Sequence, residues 1–173
     1  WLLTFAGMLP DDAQLEGLWK QACTMRTDAS PLWRIGGIGL RVFRGRLHLV
    51  ASDAGPPDQV AWHGEASLAW GQLGDLVFTA SVGEGLSAAA CRDRPCLVCA
   101  RGGGERLRPD CRRPTRPVKD WLREAGVPPW LRGSLPMLRI GDDTAWMAGL
   151  GVDCRFQAAP GEPGWLISWR PRP

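Results

Sequence analysis

Lysine is scarce in this chain: of 21 basic residues among 173, 19 are arginine. Long apolar runs are missing as well, since no stretch approaches the ~20 residues that a membrane-spanning helix requires. The opening Trp1-Leu2-Leu3 carries neither the charged segment nor the small-residue cleavage site of a secretory signal. It also lacks an initiator methionine, so the expectation is a piece cut from a longer protein. Six cysteines in 173 residues fall far below the density of a disulfide scaffold. A chain of this length buries roughly 70% of its unfolded surface and supports a core without staples. No repeat with a period of 20–50 residues is visible. No nucleophile, base and orienting group stand out as a catalytic set.

What is abundant is turn chemistry and localised positive charge. Gly 22 and Pro 15 make up about a fifth of the chain, above the usual share of roughly 12%, and predict a loop-rich folded protein. The net charge is only +3. Between Arg92 and Arg123, however, ten basic residues face four acids, Asp93, Glu105, Asp110 and Asp120. Planar guanidinium forks match phosphate oxygens and stack on bases as lysine cannot. Charge gathered this way points to a polyanion, most often nucleic acid, with a solvated basic face as the alternative.

The cysteines allow two readings. Cys91, Cys96, Cys99 and Cys111 superficially offer four thiolates to zinc, but only Cys96 and Cys99 form a Cys-x-x-Cys pair and His48 and His63 are remote. Cys96-Leu-Val-Cys99 also suits a buried strand in which free cysteine behaves as a small apolar residue. The expectation is buried reduced thiols. A zinc-stabilised nucleic-acid or protein binding module is the alternative.

Along the chain, Pro10-Asp11-Asp12 and the stripe Leu15, Leu18, Trp19, Ala22 and Cys23 predict a helix over residues 11–26. A β-hairpin unit follows over residues 32–50, turning at Arg44-Gly45-Arg46. Gly55-Pro56-Pro57 breaks all periodicity and predicts a linker. Short strands are expected at 66–70, 76–80 and 96–100, then an irregular basic loop over 101–115. Val118, Trp121, Leu122 and Ala125 line one face of a short helix that Gly126 ends and Pro128-Pro129 cannot continue. Strands at 137–140 and 144–148 flank a Gly141-Asp142-Asp143 turn, and 165–169 is a last strand. The fold class expected is α+β: an N-terminal helix plus β-hairpin unit, then a small mixed α/β domain with short strands and one short basic helix. The domains expected are 1–52 and 57–173, with a boundary near 90 as the alternative.

The run Arg101-Gly-Gly-Gly-Glu105-Arg106-Leu107-Arg108-Pro109, the segment Val118 to Arg132 ending Gly126-Val127-Pro128-Pro129-Trp130-Leu131-Arg132, and Leu135-Pro136-Met137-Leu138 resemble the C-terminal domain of the tRNA(Ile)-lysidine synthase family. Ala145 to Gly149 and Ser168-Trp169 fit the same pattern. Leu15 to Trp19, Arg26 to Pro31 and Leu40 to Leu47 resemble that family's preceding substrate-binding domain. The helix departs from the family in having one lysine, Lys119, where a denser cluster is usual. The family's Ser-Gly-Gly-x-Asp-Ser nucleotide loop is not found, since Gly102-Gly103-Gly104 lacks its flanking Ser and Asp.

The resemblance implies a bacterial, cytoplasmic parent ligase that uses ATP, with Mg, to attach lysine to the wobble cytidine of tRNA(Ile). It implies that this chain positions the tRNA and holds no catalytic residue or cofactor of its own, leaving chemistry to an N-terminal catalytic domain. The RNA-binding candidates are Arg101, Arg106, Arg108, Arg112, Arg113, Arg116, Lys119, Arg123 and Arg132. The glycines at 102–104 are expected to let backbone amides approach phosphate. Trp130 is read as a core residue, with base stacking as the alternative. Arg132 is split between RNA and a carboxylate. Glu105 is expected to orient an arginine, Asp142-Asp143 to be a turn pair rather than a metal site, and His48 and His63 to lie on strand or loop surfaces. No metal site is assigned, and oligomeric state is unknown.

Overall fold

The structure is a computed structural model and describes residues 13, 16–17, 20, 32–35, 38–50 and 55–172. The chain divides into two compact units, Trp1–Asp53 and Ala54–Pro173. The helix expected over 11–26 lies outside the described residues except at Ala13, Glu16, Gly17 and Lys20.

In the first unit, β1 (Leu32–Ile35), β2 (Ile38–Phe43) and β3 (Arg46–Val50) form an antiparallel meander in the order β1-β2-β3. The β2–β3 turn consists of Arg44 and Gly45, both at positive φ (50° and 72°). That pairing matches the right-handed twist of the strands it joins.

The second unit contains three further sheets. β8 (Cys96–Cys99) and β11 (Met137–Ile140) lie at the centre of a five-stranded sheet ordered β13-β12-β11-β8-β4. It is completed by β4 (Val60–Trp62), β12 (Asp143–Met147) and β13 (Gly151–Val152). A four-stranded sheet follows the order β5-β6-β14-β7, with β5 (Ser67–Ala69), β6 (Gly74–Val82), β7 (Leu86–Ser87) and β14 (Pro163–Pro171). β9 (Arg106–Leu107) and β10 (Arg116–Pro117) form a two-stranded clip. α1 (Val118–Glu124) follows β10 directly.

The fold class therefore differs from expectation. The described chain is mostly β, in four sheets, and α1 is the one α-helix whose bounds are described, so the α+β class expected gives way to a mostly β fold. Nor are its sheets mixed, because every pairing is antiparallel. The physical reason is connection length. Gly141-Asp142 joins β11 to β12, which suits a hairpin, whereas parallel neighbours need a crossover of a dozen residues or more. The helix makes no such crossover, since β10 before it and β11 after it belong to different sheets.

The core follows the strand and helix periods. Leu76 and Phe78 on β6 are buried, as are Cys96 and Val98 on β8, each pair two residues apart on one face. Val118, Trp121 and Leu122 on α1 supply the helical spacing. Trp62 stacks on Phe78 with ring centroids 4.3 Å apart and meets Trp165 edge-on at 5.6 Å. Trp70 is fully buried, and its indole N–H donates to the Ser134 carbonyl at 2.9 Å. Gly85, at φ +80°, turns the chain from β6 to β7, and a Cβ there would lie 2.3 Å from the Trp165 carbonyl oxygen. Only glycine fits.

Leu138 sits on β11, paired with Val98 on one side and Trp146 on the other, and is 0% exposed. Leu138→Ala is expected to lower the unfolding free energy by about 3 kcal/mol, read from urea denaturation followed by tryptophan fluorescence.

Candidate nucleic-acid interface

The basic stretch is an irregular loop, as expected, interrupted by β9 and closed by its pairing with β10. Arg116↔Leu107 and Pro117↔Arg106 pair across the β9–β10 clip, and the Trp121 indole N–H donates to the Leu107 carbonyl at 2.8 Å. Residues 108–115 are thus a loop whose two ends are fixed to each other and to α1.

Beyond the clip, the loop is fastened by a carboxylate. Asp153 is 1% exposed. Its Oδ2 accepts the Arg108 backbone N–H at 2.8 Å, while Oδ1 accepts the Arg155 backbone N–H at 3.1 Å and its Nε at 2.9 Å. A buried carboxylate with several charge-assisted donors is well compensated, and losing it would strand the arginine. The Cys154 N–H donates to the Arg108 carbonyl at 2.9 Å, and Gln157 Nε2 donates to the Pro109 carbonyl at 3.0 Å. Cys111 forms a disulfide with Cys154.

That disulfide overturns the expectation that the cysteines stay reduced. It also removes Cys111 from any four-thiolate set with Cys91, Cys96 and Cys99, which are free thiols. The cause is tertiary: the Asp153 and Cys154 contacts to Arg108 bring residue 111 onto the 3-10 turn Cys154–Phe156. Cys91 donates to the Ser87 carbonyl (3.5 Å) and Cys96 to the Arg94 carbonyl (3.6 Å). Burial pushes the Cys99 thiol pKa up.

The glycine run also behaves differently from expectation. The Gly102 and Gly103 N–H groups both donate to Glu105 Oε1 at 2.6 Å, and Arg101 Nε donates to Glu105 Oε2 at 3.3 Å. The amides expected to meet phosphate are filled by the chain's own carboxylate, and Glu105 does hold an arginine. Burial pushes the Glu105 pKa up, but backbone N–H donors and the Arg101 charge outweigh it and hold the group below its ordinary value.

The predicted cations occupy distinct situations. Arg113 Nη2 lies 2.8 Å from Glu124 Oε1, and Arg116 Nη1 lies 2.7 Å from Glu124 Oε2. Both guanidinium groups sit over the Trp121 ring, 4.2 and 4.8 Å from its centroid. Arg106 donates to the Thr115 carbonyl at 3.0 Å, Arg123 pairs loosely with Asp120 at 3.7 Å, and Arg132 Nε donates to the Val127 carbonyl at 2.9 Å. Arg112 and Lys119 are exposed and Arg108 half-buried, and among the described residues no side-chain hydrogen bond or ion pair is drawn from these three. Trp130 is half-buried in the 3-10 turn Pro129–Leu131. His63 is exposed and His48 half-buried on β3. Among the described residues, no three His, Cys, Asp or Glu side chains converge as a metal site.

Sequence reasoning missed the residues that brace this face. Arg94 donates to Asp143 Oδ2 at 2.9 Å and to the Ile140 carbonyl at 2.7 Å. Arg155 Nη1 donates to Asp143 Oδ1 at 2.9 Å. The Arg94 and Arg155 hydrogen bonds hold the Asp143 carboxyl below its ordinary pKa. Asp142 is thus a turn residue, as expected, whereas Asp143 is the first residue of β12 and joins two arginines. Beside it lies an open depression of about 770 Å³ bordered by Gln59, Glu105, Arg106, Thr115, Arg139 and Arg155.

Comparison with known proteins bears directly on this geometry. Residues 1–48 match the TilS substrate binding domain and residues 96–169 match the TilS substrate C-terminal domain. The chain belongs to the TilS family. A protein of Nitrosomonas europaea named tRNA(Ile)-lysidine synthase is 34% identical over 166 residues, covering 94% of this chain and 36% of the relative. Proteins of the same name from Aromatoleum aromaticum and Coxiella burnetii are 36% and 28% identical, covering 84% and 99% of this chain. The chain spans about a third of the length of these curated relatives (35–38%).

Two outcomes follow from the bracing. The disulfide closes a loop of 43 residues in sequence separation, so replacing both Cys111 and Cys154 by serine is expected to lower stability by about 4 kcal/mol in denaturant titrations. Glu105, Glu124 and Asp143 all have lowered folded pKa values, so their stabilisation is complete above the unfolded carboxyl pKa of about 4.3 and lost as pH falls below it. Urea titrations between pH 7 and 3 should therefore show stability falling below about pH 4.3, and less steeply for Glu105→Gln.

Proposed function

We propose that this chain is the tRNA-holding part of a bacterial tRNA(Ile)-lysidine synthase. In that reading the whole protein is an ATP-dependent ligase that joins lysine to the wobble cytidine of tRNA(Ile). ATP and Mg are handled by a catalytic domain N-terminal to this chain, and the present residues supply no catalytic group or cofactor ligand. In that reading the working environment is the cytoplasm. Among the described residues, no helix is long and apolar enough to cross a membrane.

The observation that carries the proposal is the fixed basic loop of a chain whose full-span relatives bear that name. A-form RNA presents phosphates and 2′-hydroxyls while its base edges are largely shielded in a deep, narrow groove. A protein that grips the body of a tRNA therefore needs positive charge held on a rigid surface, and such contacts position the RNA without reading sequence. Arg108, Arg112 and Lys119 provide uncommitted charge; the clip and Asp153 provide rigidity. Arg101, by contrast, is committed to Glu105 and serves the loop rather than the RNA.

The test is filter binding of an unmodified tRNA(Ile) transcript over a series of salt concentrations. Arg108→Glu combined with Arg112→Glu is expected to weaken binding at least tenfold and to flatten the log–log salt slope by about 2. An unchanged affinity and slope would reject the proposal.

A further inference from the structure

Glu124 stands where helix electrostatics disfavour it. It is the last residue of α1, at the end where carbonyl groups point outward and an acid is repelled. What holds it there is a pair of guanidinium groups. Arg113 Nη2 reaches both carboxylate oxygens (2.8 Å to Oε1, 3.1 Å to Oε2), and Arg116 Nη1 reaches Oε2 at 2.7 Å. Both arginines lie over Trp121, which is 5% exposed and locked by its indole N–H to the Leu107 carbonyl. The donors thus have a second anchor that does not depend on Glu124. Two arginines aimed at one pair of oxygens form the fork geometry that also grips a phosphate.

Glu105 and Glu124 make an instructive contrast. Each fills a site that would otherwise receive an anion. Glu105 is 11% exposed and bound by backbone amides on a loop it shapes, so it is part of the fold. Glu124 is 47% exposed and held only by side chains, so it can leave without disturbing the backbone. Exposed pairs of this kind are weakly held and exchangeable.

We infer that Arg113 and Arg116 form a phosphate site that Glu124 occupies in the RNA-free protein and vacates when one RNA phosphate takes its place. The inference rests on the proposed RNA-holding role and adds a residue that sets when the site opens. RNA already docked on Arg108, Arg112 and Lys119 delivers a phosphate at high local concentration and exchanges with the carboxylate. A dilute free anion competes poorly with a tethered one.

The experiment has two arms on the intact chain. In the first, thermal melting is followed with and without inorganic phosphate at constant ionic strength. Glu124→Gln is expected to gain a phosphate-dependent rise in melting temperature that the parent chain lacks, and adding Arg113→Gln and Arg116→Gln should abolish it. No phosphate-dependent rise in Glu124→Gln would overturn the inference. In the second arm, Glu124→Gln should tighten tRNA binding about tenfold, whereas Asp120→Asn, which removes the same charge one turn away, should change it less than about twofold. Equal gains would mean simple charge removal and would also overturn it. Failure of the parent chain to bind tRNA, with the phosphate shift intact, would reject the RNA-holding role and leave the anion site standing.

Discussion

The carboxylate of Asp153 is the constraint on which the rest of this surface depends. A charge buried this deeply persists only if its oxygens are filled, and here they are filled by groups from two segments some 45 residues apart in sequence. One is the backbone of Arg108, at the start of the basic loop; the other is Arg155, whose Nη1 reaches Asp143 and, through it, Arg94. The β11–β12 turn, the 3-10 turn at 154–156 and the basic loop are thereby joined by one chain of alternating charges. In the proposed RNA-holding role, positive side chains on a loop free to move would lose entropy on every encounter, whereas on a braced loop that cost is met during folding.

The sequence was legible wherever structure is local. The face of Val118, Trp121 and Leu122 followed by Gly126 gave the helix, because capping and helical period act within a few residues. Gly141-Asp142 and Arg44-Gly45 gave hairpins for the same reason. What escaped were partners across the fold. Nothing near Asp153 marks it as buried, and nothing near Cys154 marks it as the mate of Cys111. The charge window was visible, but the sequence could not show which arginines it leaves available. Glu124, one residue beyond that window, engages two of the nine candidates. The α+β expectation gave the helical stretches too much weight, because short strands such as β4, β9, β10 and β13 carry no periodic pattern and are set by partners across the fold.

The free and the committed cations divide the labour. Arg101, Arg94 and Arg155 serve acids that shape loops, while Arg113 and Arg116 serve an acid that shapes nothing. Formal charge alone overstates the attraction this face exerts, since a guanidinium already facing a carboxylate contributes little field at a distance. Recognition by such a surface depends on contact geometry more than on long-range attraction.

β14 has a consequence for how the chain is made. It lies between β6 and β7, pairing with all nine residues from Gly74 to Val82, yet it is synthesised some eighty residues after β6. During translation the ribosome releases β6 with one long side bare and no neighbour to close it, for as long as it takes to add those residues. The nascent protein must wait with an open sheet edge exposed to other chains, and assembly of that sheet is a late event.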